Sequence, residues 1–266
     1  LIRLAAAEAA RQLPPEQQLE RILPLSQDPV LAVRMVAAEQ LAGLIPPMVD
    51  TPAPPTPDLS AQQSTDGGRP QTAGPLDALF AEYVHIQSQH LDMPSVLTQL
   101  SGFQQARGDA EAAEALLVSA LEKNPQASAS RVNLADLDRA QGKEEAARAT
   151  LERGIQLNQE DASLWFSLAL LEVREGNGEA ALVALKKAAS LEETPSYYHY
   201  VYAVAQHDEG RLADAMETLK ATNRAAPGQP NVLAALIQYS QSAGDVRAAQ
   251  HYQIELRNTA RAAGLR

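Results

Sequence analysis

The sequence predicts an all-α protein assembled from repeated pairs of helices, and three observations carry that prediction. Glycine recurs every 34 residues, at Gly108, Gly142, Gly176, Gly210 and Gly244, and alanine stands five residues after each of them, at Ala113, Ala147, Ala181, Ala215 and Ala249. Between these landmarks the apolar residues fall every three or four positions, the spacing of one face of a helix. Prolines are concentrated elsewhere: eight of the 17 lie between Pro46 and Pro75.

Each 34-residue repeat reads as helix, turn, helix. Five of them run from Pro94 to Ala263 without an insertion, starting at residues 94, 128, 162, 196 and 230. A single repeat cannot bury its apolar face, so neighbours must stack. In the repeat at 162, Trp165, Leu168 and Ala169 are expected to pack on Ala181, Leu185 and Ala188 of the second helix. Trp165 then belongs to the core, where truncation to alanine costs about 3–5 kcal/mol. The turn glycine suits a left-handed residue at the end of the first helix, because only glycine takes positive φ without a steric cost.

Trp165, Leu168, Ala181, Leu185 and Ala188 resemble the tetratricopeptide repeat (TPR), whose pattern is W-x2-L-G-x2-Y followed by alanine, a large apolar residue, alanine and proline. The closing proline is in register at Pro125 and Pro227, Gln159 departs from it, and Pro195 comes two residues late. Gly154, Thr222 and Leu256 replace the third alanine, and Gln253 replaces an apolar residue, which loosens packing locally. The resemblance implies a superhelix whose concave groove holds a polypeptide.

Residues 1–45 contain a second echo, because IRLAAAEAARQL from Ile2 aligns with VRMVAAEQLAGL from Val33. Both segments are helical by pattern, Glu16–Leu25 can form a short helix between them, and Asp28-Pro29 reads as an N-cap followed by a first-turn proline. Such D-P-x3-V-R helices resemble HEAT repeats, and the resemblance makes Arg34 a structural tie between neighbouring helices. Residues 46–75 read as a Pro-rich linker, either a spacer or a ligand for a partner domain. The helix expected over Leu76–Leu91, within a segment 76–93, caps the array that occupies 94–266.

The chain has 266 residues, a net charge of −11 and no cysteine. Without cysteine there are no disulfides, thiolate metal sites or C-x-x-C-H haem attachments in it. No apolar run approaches the ~20 residues of a membrane span, and nothing resembles the basic stripe of a nucleic-acid binder. Neither a cofactor nor a metal is expected. The five histidines form no ligand pair: His85 and His90 diverge by about 140° around a helix, and no G-x-S-x-G elbow occurs. The chain begins at Leu1 and reads as part of a longer parent.

The informative surface is a stripe at spacing 3-4-3 on each first helix, roughly opposite the core stripe. In TPR proteins this stripe lines the groove. Here it reads Ser163, Phe166, Leu170 and Val173, then Tyr197, Tyr200, Val204 and His207, with Asp136 and Arg139 on the preceding repeat. Phe166, Leu170, Tyr197 and Tyr200 make an aromatic strip suited to recognition, or else buried if the superhelix curls tightly. Asn133 stands where groove-binding TPR proteins often hold a peptide backbone. Asn133, Asp136, Arg139, Phe166, Leu170, Tyr197, Tyr200 and His207 are therefore the candidate partner-binding residues. The basic clamp of chaperone-binding TPR proteins is missing, since Thr98, Gly102, Ser163 and Ser167 stand at its positions.

The HEAT-like helices, the proline-bearing joint, the run Val132–Gly142 and the run Tyr198–His207 also resemble the C-terminal half of bacterial periplasmic multihaem cytochromes c that carry HEAT and TPR segments. That resemblance implies a periplasmic location and a haem-binding half upstream of Leu1. The expected work of this chain is to bind a partner protein or peptide, or a haem domain of its own parent. The alternatives are an organising half of an electron-transfer protein, and an enzyme with an unrecognised site.

Overall fold

The computed structural model describes residues 2–45, 74–191 and 194–262, which fold into fourteen α-helices with no strand among them. The expectation of a linker over 46–75 falls outside the described residues except at Gly74 and Pro75. Two compact units, Leu1–Leu137 and Asp138–Arg266, divide the chain.

The first unit contains α1 (Ile2–Ala10), α2 (Pro15–Ile22), a 3-10 turn (Leu23–Gln27), α3 (Leu31–Leu44), α4 (Pro75–Ser88), α5 (Pro94–Ala106), α6 (Ala110–Lys123) and most of α7 (Ser128–Ala140). One hydrophobic cluster runs through it, from Ala7 and Ala10 of α1 and Ala37, Ala38 and Leu41 of α3 to Leu79, Phe80 and Tyr83 of α4, then Leu97, Leu100 and Phe103 of α5 and Leu116 of α6. Its centre is aromatic. Tyr83 stacks on Phe103 at 4.6 Å, and Phe80 meets Phe103 edge-on at 5.6 Å. The α4 segment thus joins the N-terminal helices to the first repeat by direct packing.

Polar ties reinforce that junction. Arg34 on α3 donates through Nε and Nη2 to the two carboxylate oxygens of Glu82 on α4, at 2.8 and 2.7 Å, and through Nη1 to the Asp28 carbonyl at 2.7 Å. This fork-to-fork geometry is the strong form of an ion pair. Buried Gln40 donates to the Ala7 carbonyl at 2.9 Å. Asp28 does not cap α3 as expected. Helix α3 starts at Leu31 with Val30 as its N-cap residue. The Asp28 side chain instead accepts from the Val30 N–H at 2.9 Å and pairs with Arg3 at 2.7 Å, because an aspartate bonds its own backbone two residues on as readily as a helix end. Gly74 caps α4, with the Asp77 carboxylate accepting from its N–H at 3.1 Å and Pro75 at the first helical position.

The second unit holds the end of α7, then α8 (Glu144–Leu157), α9 (Ala162–Arg174), α10 (Gly178–Ser190), α11 (Ser196–Asp208), α12 (Leu212–Ala225), α13 (Pro230–Ser242) and α14 (Val246–Ala262). Its core is a series of smaller clusters. Ala169, Ala184, Leu185 and Ala188 meet Phe166 in one of them, and Ala203, Ala215, Leu219, Leu233 and Leu236 form another. On α14 only Ala249 is buried, so the last helix presents a polar outer face.

The helix ends repeat as the sequence predicts. Gly176 has φ 77°, and its four counterparts in the other repeats lie between 72° and 81°. Around it the Asn177 N–H reaches the Glu172 carbonyl at 2.9 Å and the Gly176 N–H reaches the Val173 carbonyl at 3.2 Å, the paired bonds of a Schellman closure. The residue four before each glycine is Gln104, Asp138, Glu172, Gln206 or Ser240, and all five are buried. Where the TPR pattern has tyrosine, this chain buries a shorter polar side chain. Glu172 is held there by Arg148, which also reaches Glu175 at 2.6 Å, and by the Asn177 amide at 2.9 Å. The Arg148 hydrogen bond holds the Glu172 carboxyl below its ordinary range, against the opposing effect of burial.

Trp165 is not the core residue expected. Its ring packs at the edge of the Leu185 cluster, half-buried, and its Nε1 donates to the Gln159 carbonyl at 2.9 Å. Leu164 and Leu171 take the fully buried places on α9. The indole N–H needs an acceptor, and the loop carbonyl at the rim supplies one that the apolar interior cannot.

Candidate polypeptide-binding groove

The stripe positions on α9 and α11, with their equivalents Asn231, Ala234, Gln238 and Gln241 on α13, form a surface within the second unit, and of these only Phe166 is buried. Its ring lies flat against Tyr198 at 4.0 Å, with 6° between the planes, and meets Tyr197 at 5.8 Å. Phe166 is therefore the base of the strip and not a contact surface, the burial that the sequence reading held as its alternative. Burial also raises the pKa of the Tyr198 hydroxyl.

Tyr197 stands on this base with 52% of its surface exposed, and Leu170 and Val173 on α9 are exposed at 37% and 50%. Tyr200 follows one turn along α11, its ring 6.1 Å from that of Tyr197, half-buried against the Leu233–Leu236 cluster. His207 closes the row, stacked on Tyr239 of α13 at 4.1 Å and 4°. Arg139 lies in the last turn of α7, half-buried. The structure thus brings Phe166, Leu170, Tyr197, Tyr200 and His207 into one region of the second unit.

Asn133 and Asp136 belong to the first unit. Asp136 is exposed on α7. Asn133 lines a trough of about 670 Å³ together with Thr98 and Gly102 of α5, Ser128 of α7, and Glu39 and Gly43 of α3. Thr98 and Ser130 share a hydrogen bond of 2.7 Å across it. The contribution of α3 was not foreseen, because it depends on helices far apart in the chain packing into one core.

A second cleft lies away from the stripe. It measures about 980 Å³ between α10, α11 and α12 and is lined by His199, Tyr202, Gln206 and Thr218. His199 and Tyr202 occupy the places that Trp165 and Leu168 hold one repeat earlier, and the small Ala221 and Ala225 face the same space. Replacement of the two apolar side chains by polar ones was the available signal. Burial lowers the His199 pKa. Among the described residues no group of three or more His, Asp or Glu side chains is arranged to hold a metal ion, and no helix is long and apolar enough to cross a membrane.

Residues 105–171 match a family model described as a tetratricopeptide repeat. No curated protein matches the chain by sequence. Among solved structures, MamA aligns with a TM-score of 0.53 at 17% identity, over 62% of this chain and 96% of that one. PilF of Pseudomonas aeruginosa aligns with a TM-score of 0.55 at 18% identity, over 62% and 76%. PilW, described as a type IV pilus biogenesis factor, aligns with a TM-score of 0.52 at 18% identity, over 63% and 78%. With the repeating glycine turns and the stacked helix pairs, these likenesses give the repeat part of the chain the fold of tetratricopeptide-repeat proteins.

Proposed function

We propose that this chain is an interaction scaffold that holds a partner polypeptide on the strip formed by Leu170, Val173, Tyr197, Tyr200 and His207 of the second unit, with Arg139 as a further contact there, and that Asn133 and Asp136 are contact residues of the first unit taken by itself. The observation that supports it most is Tyr197, a large aromatic side chain left 52% exposed against the stacked Phe166–Tyr198 pair, with Leu170 and Val173 exposed on the helix that carries Phe166. Aromatic side chains with few free torsions supply contact area at low entropic cost, and exposed apolar surface rimmed by polar residues marks interaction sites. The reading is one of binding and not of catalysis.

Selection of a displayed peptide library on the full chain tests this. Peptides enriched on the parent and lost on Tyr197→Ala/Tyr200→Ala, with far-ultraviolet circular dichroism unchanged, would place recognition on the strip. Peptides that bind both proteins equally would move it elsewhere.

The runs Val132–Gly142 and Tyr198–His207 support a narrower form, in which the partner is a haem-bearing domain of the same parent and the location is periplasmic. Its support is the sequence resemblance to multihaem cytochromes. Coding sequence upstream of Leu1 without C-x-x-C-H motifs would remove it.

A further inference from the structure

The strip on the second unit is set apart by its lack of charge. None of its positions on α9, α11 and α13 is Asp, Glu, Lys or Arg, although 21% of the chain is charged and the net charge is −11. A carboxylate or ammonium brought against Tyr197 and Leu170 would lose water and find no opposite charge among the stripe positions. The electrostatic complement of this surface is therefore an uncharged segment.

The rings narrow the choice further. Tyr197 and Tyr200 stand 6.1 Å apart on α11 with planes tilted by 32°, next to the buried Phe166. Two tyrosine rings one helical turn apart offer apolar faces suited to flat, rigid side chains. The polar groups beside them, two tyrosine hydroxyls, the His207 imidazole and the exposed amides of Gln238 and Gln241, can all donate hydrogen bonds. A polyproline II segment needs that kind of surface. It makes no internal hydrogen bonds, its prolines have no N–H to satisfy, and its carbonyls want donors. It also enters the groove already ordered, so little entropy is lost. An added β-strand would instead need a backbone edge, which an all-helical unit does not offer.

We propose that the strip binds a proline-rich segment in extended polyproline II conformation, uncharged over the residues that meet Tyr197 and Tyr200. The proposal rests on the groove reading above and names the class of partner that the groove takes.

Fluorescence anisotropy on the full chain tests it with labelled peptides of about twelve residues: oligoproline, oligoproline with two central aspartates, the same with two central lysines, and a Gly-Ser peptide of equal length. Oligoproline should bind, both charged versions should bind at least about tenfold more weakly, and Gly-Ser should not bind. Tyr197→Ala and, separately, Leu170→Ser should each weaken oligoproline binding with circular dichroism unchanged. Since both side chains are exposed, neither variant should disturb folding.

Equal or tighter binding of a charged peptide, or of Gly-Ser, would overturn the proposal. If library peptides without proline bind in a Tyr197-dependent way while oligoproline does not, the class of partner is wrong and the groove reading stands. If no peptide binding depends on Tyr197 or Leu170, both readings fall. Concentration-dependent self-association abolished by Leu170→Asp would assign the strip to a second copy of the chain instead.

Discussion

The two units use the same kinds of side chain to opposite ends. In the first, Phe80, Tyr83 and Phe103 are buried in one cluster that runs from α1 to α6, and the stripe positions of α5, equivalent to those of α9 and α11, hold the small residues Ser95, Thr98 and Gly102. In the second, the core is divided into clusters of mostly alanine and leucine, with Phe166 and Tyr239 each in one of them, and Tyr197 and Tyr200 stand on the stripe above. A unit whose helices are locked by an aromatic centre can leave its surface plain. A unit held by small-residue contacts between successive helices has its aromatics available for recognition.

The comparison can be broken first in the core of the first unit. Phe103→Ala removes the ring that both Tyr83 and Phe80 touch, so it should cost about 3–5 kcal/mol in denaturant unfolding and raise hydrogen exchange from α1 to α6 together. A loss confined to α5 and α6 would show that the continuous cluster is not one cooperative block. In the second unit Trp165→Ala should cost less, about 2–3 kcal/mol, because the indole is half-buried at the rim. Iodide should quench Trp165 fluorescence partially, and complete shielding would contradict the rim position.

Arg34→Ala should cost about 1–2 kcal/mol, mostly through the loss of the forked pair with Glu82 and the Asp28 carbonyl, discounted for partial exposure. A double-mutant cycle with Glu82→Gln would show a coupling near zero if solvent competes successfully for both groups.

Acid sharpens the comparison for the second unit. Glu172 has a lowered pKa in the folded state, so its contribution is complete above the ordinary value of 4.5 and disappears as pH falls through the folded value. The stabilities of the parent and Glu172→Gln should therefore converge as pH is lowered from 4.5 through the folded value. Parallel curves over that window would mean that the Arg148 pair holds no differential charge energy. His199 acts in a higher window: its pKa is also lowered, so stability falls as pH drops through its ordinary value of 6.5, and His199→Gln should remove that portion. The smallest effect belongs to Tyr197→Ala, which should leave stability within about 0.5 kcal/mol of the parent. A larger loss would make Tyr197 part of the core.

Much of this architecture was legible in the chain. The 34-residue spacing located the helix pairs from Pro94 to Ala262 because each boundary is set locally, by a glycine that alone tolerates positive φ and by backbone bonds that close within six residues. The N-terminal helices were likewise readable, and so was Arg34 as a tie. Assignments involving one residue or two neighbours were less secure. Asp28 was read as a cap and proved to bond Val30, since a helix cap and an aspartate turn differ by two residues of register.

What the sequence determined by itself was the period, the helical class, the small residues at the close approaches and the set of residues on each stripe, all of which follow from 3.6 residues per turn and from glycine stereochemistry. What only the tertiary structure decided was which member of a stripe is covered. Phe166 and Tyr197 occupy adjoining stripe positions, yet one is 9% exposed and the other 52%. That difference arises because Tyr198, from the next repeat, lays its ring on Phe166. Burial on a helix face depends on the side chains that the neighbouring helix brings to it, and no local pattern specifies them.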